Sequence, residues 1–567
     1  MTVDISPTAS LRAALHALGE GVDAVAFALP GPERAARVRH QRELAWSINE
    51  YLLPRLGDLD APAVAVILGS TGSGKSTLVN TLAQAAISNP GPVRPTTRHP
   101  VVWAHPQHAD RYGAGFLTGY SSEGDKQLEV KASADPLLTG VTVIDSPDFD
   151  SVVEENRAMA DDLLAVADLC VFVTSAQRYA DAVPWEFLER AKQRSLPIVF
   201  VVNRVPAGDR QVIVADYERR LHDAGLAGWA ELLVIEEQPI TTDHGGLPAP
   251  TVAPLRARLE QLAMPDERER LVQEAVAGGL TDVGRRAEAL AVSVDEEAAH
   301  AASLAEVAER AFQTQMSEVA RLLEDGTLIR GEVVSRWQDF VGTGQLLQAL
   351  AESTSRLRRW LRSVFGGTEK VEQVEREARS ELVDAVVRRT DLAATAAAGA
   401  WELDPAGAQL LAESSGGLWR HAPETPGRAQ RAVDDWLGYL TSLIEAQGAD
   451  RKKIAQVASY GVNAAAVTVL LGVFVHTGGL TGAELGVTAS AAAAQQKVLE
   501  HVFGGAAART LIAQAKEHLY EALHGVLHAD GARFYDLTGD PSVGPETATR
   551  LRALATDVER QAVGFRG

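Results

Sequence analysis

The sequence predicts an α/β core, a mainly parallel sheet with helices on both faces, followed by a long all-α helical-bundle half. Three observations predict it. Between about Ala63 and Leu262, short apolar runs alternate with helical patterns, as parallel strands and their covering helices do. After about Met264, apolar residues recur only at steps of three and four. An uninterrupted apolar run, Ala63 to Leu68, enters Gly69-Ser70-Thr71-Gly72-Ser73-Gly74-Lys75-Ser76-Thr77 and then a helix-like segment to Ala85.

Taken in order, Leu11 to Leu29 and Pro32 to Leu56 read as two helices punctuated by Pro30-Gly31. Strands are expected at Val64–Leu68, Val101–His105, Val141–Asp145, Leu169–Thr174, Ile198–Asn203 and Leu232–Ile235. Helices are expected between the later ones, at Glu154–Ala165, Trp185–Arg194 and Ile213–Ala224. In the second half Val276, Leu280, Val283, Ala287 and Leu290, and again Phe312, Met316, Val319 and Leu323, form heptad-like, coiled-coil-type seams. The pattern breaks near Gly342-Thr343-Gly344, Gly366-Gly367, Pro405 to Gly407 and Pro423 to Pro426. The expected domains are residues 1–60, N-terminal helices packing on the bundle; 61–263, the α/β core; and 264–567, the helical half.

Composition narrows the function classes. The 567 residues carry a net charge of −21, which argues against nucleic acid as the main partner. One cysteine, Cys170, excludes an intrachain disulfide framework and fits a reducing, cytoplasmic setting. It sits in the apolar run Leu169 to Thr174, where core packing is its expected role. Met1 to Pro7 lacks the basic region of a signal peptide.

The chemistry starts at Gly69. GxxxxGK[ST] between a strand and a helix is a phosphate loop, so the core is expected to be a P-loop NTPase core. The glycines let backbone N–H groups face a β-phosphate. Lys75 adds a point charge toward the β- and γ-phosphates, Ser76 offers a hydroxyl to Mg²⁺, and the helix N-terminus supplies its positive dipole end. Gly69, Ser70, Thr71, Gly72, Ser73, Gly74, Lys75, Ser76 and Thr77 are the expected phosphate-binding residues.

Val141 to Asp145 is an apolar strand ending in a carboxylate. Asp145 is the expected magnesium-side acid, with a cap on the next turn as the alternative. Between these motifs lies Arg94-Pro95-Thr96-Thr97-Arg98-His99-Pro100. A loop threonine there, Thr97 in preference to Thr96, is expected to complete the Mg²⁺ shell and sense the γ-phosphate; the alternative is a plain turn. Lys75 and Thr97 are the expected catalytic residues. Ile198 to Pro206 is a strand ending in Asn203-Arg204, similar to the base-reading NKxD element of GTPases with Pro206 in place of the aspartate. Asn203 and Arg204 are expected to hold the base plane, but guanine selectivity does not follow; the alternative is a strand whose polar end begins a loop. No catalytic base or arginine finger is assignable; Arg98 and Arg178 are loop candidates.

With these residues assembled, the chain resembles the bacterial dynamin-like GTPases. The likeness to GTPases generally covers about Ala63 to Leu262, and the dynamin-like part rests on arrangement: helices before the core, a long helical half after it, and a hydrophobic tip within that half. The resemblance implies Mg²⁺-dependent GTP hydrolysis coupled to movement of a helical stalk, a switch I at Arg94 to Thr97, and a homo-oligomer formed through the GTPase domain. Three departures stand out. The third GTPase motif, usually DxxG, reads Asp145-Ser146-Pro147-Asp148, which places a repulsive carboxylate near the γ-phosphate. The base motif lacks its aspartate. Thr71 and Gly72 occupy the places of the catalytic Gln-Ser pair of eukaryotic dynamins. Ser414-Ser415-Gly416-Gly417 resembles an ABC signature but follows Asp145 instead of preceding it, so that reading is rejected.

Two segments bear on membranes. Gly461 to Ala483 has no Asp, Glu, Lys or Arg, follows Arg451-Lys452-Lys453, and turns at His476 to Gly482 into an alanine-rich apolar arm. Each arm of residues 461–496 is shorter than the roughly 20 residues a spanning helix needs. A shallow lipid-binding hairpin and a buried helix pair both fit. Residues 356–365 interleave Arg356, Arg358, Arg359 and Arg362 with Trp360 and Phe365, which suits anionic headgroups or a helix paired with Glu369 and Glu372. The expected location is cytoplasmic, with a peripheral position at the inner face of the cell membrane. The competing functions are a soluble regulatory P-loop NTPase, using GTP or ATP, whose helical half binds a protein partner, and a non-hydrolytic scaffold.

Overall fold

The computed structural model describes residues 7–89, 99–113, 116–118, 120, 127–148, 154–177, 182–225, 230–240, 242–325, 327–328, 368–414, 417–446, 505–540 and 543–565. The chain divides into two compact units. Unit 1 comprises Met1–Phe27, Pro32–Glu296 and Ser542–Gly567, and unit 2 comprises Ala28–Gly31 and Glu297–Pro541.

Unit 1 opens with α1 (Pro7–Asp23). Then α2 (Arg34–Trp46) runs through a π-helical segment, Ser47–Leu52, into α3 (Leu53–Gly57). The first helix is shorter than the apolar spacing suggests, ending at Asp23 well before Pro30-Gly31. Strands and helices then alternate: β1 (Ala63–Gly69), α4 (Lys75–Ala83), β2 (Val101–Ala104), β3 (Glu129–Ala132), β4 (Val141–Asp145), α5 (Glu154–Ala165), β5 (Leu169–Ser175), α6 (Ala182–Gln193), β6 (Ile198–Val205), α7 (Arg210–Asp223), β7 (Ala230–Glu236) and α8 (Ala253–Ala263).

The seven strands form one sheet in the order β3-β2-β4-β1-β5-β6-β7. From β4 across to β7 every pairing is parallel, while β2 runs antiparallel to β4. Each residue of β1, β4 and β5 is buried. Because successive side chains point to opposite faces, both faces of these strands must be covered. Register does the functional work. Ile67 pairs with Asp145 and Gly69 with Val173, so the ends of β4 and β5 lie beside the start of the phosphate loop. Glu129–Ala132 pairs only with β2 and is largely exposed. That edge strand carries no apolar run, which is why the pattern did not predict it.

The helix α9 (Pro265–Glu324) belongs to unit 1 as far as Glu296. Val276, Leu280, Val283, Ala287 and Leu290 are buried in unit 1, as their spacing requires. Gly278 lies so close to the end of α6 that a Cβ there would collide with the Arg194 carbonyl.

Unit 2 holds the rest of α9 with α10 (Thr368–Trp401), α11 (Pro405–Glu413), α12 (Thr425–Ala446) and α13 (Gly505–Thr538). Phe312, Met316, Val319 and Leu323 are buried there with Trp401, Trp436 and Phe534. Trp401 stacks edge-on to Phe534 with centroids 5.1 Å apart, and its Nε1 donates to the Leu304 carbonyl at 2.9 Å. Among the described residues no helix is long and apolar enough to cross a membrane. Residues 356–365 and 461–496 lie outside the described residues, as do the breaks at Gly342 to Gly344 and Gly366-Gly367.

The chain re-enters unit 1 with α14 (Val543–Phe565), whose buried stripe of Ala548, Leu551, Ala555, Val558 and Ala562 steps by three and four. It packs on α1, where a Cβ at Gly21 would lie 2.8 Å from the Leu554 side chain. Two salt bridges tie it to α9, from Arg552 to Glu288 at 2.9 Å and to Asp295 at 2.8 Å. At the opposite end of the sheet from the phosphate loop, Asp168 is fully buried. It accepts from the Arg55 guanidinium, from the Tyr51 hydroxyl at 2.9 Å and from the Val64 N–H at 2.7 Å. A desolvated carboxylate persists only with such partners, so the N-terminal helices are anchored to the sheet here.

Candidate nucleotide-binding site

The phosphate loop spans the end of β1 and the start of α4. Gly72 and Gly74 have φ of 75° and 96°, a region closed to most side chains. Gly74 is constrained twice, because a Cβ there would also strike the Asn203 side-chain amide. At Gly69 a Cβ would collide with the Val173 carbonyl and come within 2.7 Å of Ser73 Oγ. The loop is thus held tightly between β5 and β6, and its amides open α4 at Lys75.

Lys75 is buried, with 4% of its surface exposed. Its Nζ donates to the Gly69 carbonyl at 2.8 Å and the Ser70 carbonyl at 3.4 Å, and it forms an ion pair with Asp148. The hydroxyls of Ser70 and Ser73 are buried without a hydrogen-bond partner among the described residues. Ser76 and Thr77 follow in the first turn of α4, half-buried, and Thr71 and Gly72 are the loop's more accessible members.

Asp145 ends β4, fully buried, and neither carboxylate oxygen has a hydrogen-bond partner among the described residues. Burial pushes its pKa up, opposed first by the Lys75 charge and then by the nearby Ser76 and Ser88 hydroxyls. A fully buried carboxylate with only the Ser76 and Ser88 hydroxyls close to it, at the N-terminus of a helix, is a hard-oxygen donor set suited to Mg²⁺. The residues present therefore fit the ion: Asp145 and Ser76 would hold it. Thr97, like Thr96 and Arg98, falls outside the described residues, and so does Arg178. The chain leading toward that segment is fixed by Asn80. Its Oδ1 accepts from the Ile87 and Ser88 N–H groups at 2.9 and 2.8 Å, and its Nδ2 donates to the Ser88 and His244 carbonyls at 2.9 Å.

Asn203 and Arg204 part company. The Asn203 Nδ2 donates to the Ser73 carbonyl at 2.9 Å, and its Oδ1 accepts from the Arg204 N–H at 2.9 Å. The buried amide therefore props the phosphate loop from behind. Arg204 is exposed, with a left-handed φ of 55° that swings it away from the strand. Pro206 follows the β-bulge between Val202 and Val205.

Two contributors, Ser88 and Asn80, were not singled out from the sequence, and the ion pair of Asp148 with Lys75 was not foreseen. An asparagine on the inner side of the helix after a phosphate loop is a weak signal; Asp148 was visible only as an irregularity in the third motif. Cys170 is buried in β5 with its thiol pKa pushed up to about 12 by burial, consistent with core packing. A cavity of about 250 Å³ lies elsewhere in unit 1, among α2, α5, α6 and α9. Its arginines, including Arg190 and Arg286, face carboxylates such as Asp161 and Asp282, so it carries no obvious charge preference.

Residues 64–204 match the family model described as 50S ribosome-binding GTPase. A curated relative, the probable transmembrane GTPase FZO-like, chloroplastic, of Arabidopsis thaliana, is 26% identical over 162 residues. That match covers 27% of this chain and 16% of the relative, so the chain spans about a sixth of the relative's length. Two solved structures of an oligomerised bacterial dynamin pair, described as a mechanism for long-range sensing and tethering of membranes, are similar over most of the chain. The first has 12% identity and a TM-score of 0.42, covering 99% of this chain and 96% of the other. The second has 10% identity and a TM-score of 0.36, covering 96% and 94%. The family model and the plant relative both describe GTPases, as the sequence resemblance implied. The tight phosphate loop, the strand-end carboxylate and the match across them lead to one conclusion: residues 64–204 form a P-loop domain similar to that GTPase model.

Proposed function

We propose that the protein is a dynamin-like GTPase that uses Mg²⁺ and couples nucleotide turnover to rearrangement of its helical unit at a membrane. One observation carries the catalytic part. A fully buried carboxylate, Asp145, ends the strand next to a phosphate loop whose Gly69 and Gly74 leave no room for a Cβ. The loop amides and Lys75 would bind the phosphates, and Ser76 and Asp145 would hold the ion, with Thr97, between them in sequence, joining them. The ion would neutralise charge building up on the phosphoryl oxygens. Asn203 would act by keeping the Ser73 backbone in place, and Arg204 would remain available to the base.

The membrane part rests on the sequence of residues 461–496 and 356–365 and on the plant relative's name, and homo-oligomer formation through the GTPase domain on resemblance. Phosphate release at saturating Mg²⁺-GTP and Mg²⁺-ATP tests the first part: GTP turnover above ATP supports it, and no release with either removes it. Co-sedimentation with anionic liposomes tests the second. Pelleting that is lost on substituting Arg358, Arg359 and Phe474 supports it, and pelleting that never occurs favours a soluble regulator bound to a protein partner.

A further inference from the structure

An ammonium group has three N–H donors, and in Lys75 all three are spent inside the protein. One goes to the Gly69 carbonyl at 2.8 Å, one to the Ser70 carbonyl in a long 3.4 Å contact, and one to the Asp148 carboxylate. Both members of this ion pair are buried, and the second Asp148 oxygen has no partner among the described residues. Asp145, fully buried, ends β4 three residues before Asp148. Two acidic side chains thus flank the phosphate loop, and one of them already occupies its ammonium.

A phosphate-loop lysine serves the β- and γ-phosphates. A diphosphate needs one donor and can take the one in the weak contact to Ser70. A triphosphate needs a second and has to take it from Asp148, leaving that carboxylate buried and unpaired next to the incoming charge. We propose that Asp148 is a specificity-determining residue that occupies the γ-phosphate's place on Lys75, so that the resting site favours guanosine diphosphate over triphosphate. This rests on the GTPase reading above. It makes opening of the Lys75–Asp148 pair the step that admits GTP.

The test is isothermal titration of the full-length chain with GDP and with the non-hydrolysed triphosphate GMPPNP, both with Mg²⁺. The wild type is expected to bind GDP more tightly than GMPPNP. Asp148→Asn and Asp148→Gly are expected to tighten GMPPNP by about tenfold or more, about 1.4 kcal/mol, and to change GDP far less. A purely structural role for Asp148 would not move that ratio. A wild type that prefers GMPPNP, or variants that bind both ligands with the wild-type ratio, overturns the proposal while leaving the GTPase reading intact. Binding of neither ligand by wild type and variants overturns both. Either variant alone suffices for the comparison where the other fails to fold, and a wild type that prefers GMPPNP overturns the proposal without them.

Discussion

Asn203 separates two meanings of the same motif. By sequence it resembles a base-reading residue, whereas in the fold its buried amide donates at 2.9 Å to the Ser73 carbonyl. Asn203→Asp keeps the shape but turns that donor into an acceptor facing a carbonyl oxygen. Losing the bond and leaving a buried acceptor unsatisfied costs about 1–3 kcal/mol, before any repulsion is added. Because the Ser73 backbone belongs to the phosphate loop, the loss should appear in phosphate affinity, roughly 5- to 150-fold. It should be the same for GDP, ADP and inorganic pyrophosphate. Calorimetric titration of the three ligands, with a thermal melt to confirm folding, makes the comparison. A loss confined to GDP, with pyrophosphate unaffected, would refute the loop-strut reasoning and return Asn203 to the base.

The remaining predictions concern charge and packing. Asp145 has a raised pKa in the folded chain, so without ligand its contribution to stability worsens as pH rises from the ordinary carboxylate range through the folded value. Mg²⁺ needs the ionised form, so the melting increment from Mg²⁺-GTP over GTP with EDTA should grow across that same window; Asp145→Asn should abolish the increment and flatten the unliganded dependence. Gly278→Ala pits helix propensity, a gain of about 1 kcal/mol, against collision with the Arg194 carbonyl, a loss of about 1–3 kcal/mol. Calorimetric melting should show net destabilisation, and a more stable variant would contradict the close packing. Arg55→Ala strands the buried Asp168 carboxylate and should lower unfolding stability in urea by about 3–5 kcal/mol.

The core was readable from the sequence because its signals are local. Buried parallel strands are continuous apolar runs, and six of the seven strands stand where those runs are. The phosphate loop was legible because Gly72 and Gly74 must adopt positive φ and Gly69 must leave room for a neighbouring backbone. Long-range pairings were not. Nothing local to Asp148 or Lys75 says that they meet across more than seventy residues. The pairing of α14 with α1 joins opposite ends of the chain, and the stripe of Ala548, Leu551 and Ala555 tells only that something covers it. Asn203 meets the same limit: an amide that reads a base and one that props a loop look alike in one dimension.

The most direct measurement is calorimetric titration of the full-length protein with GMPPNP, with Mg²⁺ and with EDTA, beside Lys75→Ala. The account predicts saturable binding by the wild type that strengthens with Mg²⁺ and is lost in the variant. Wild-type affinity retained by Lys75→Ala, or unchanged by removal of Mg²⁺, would contradict it.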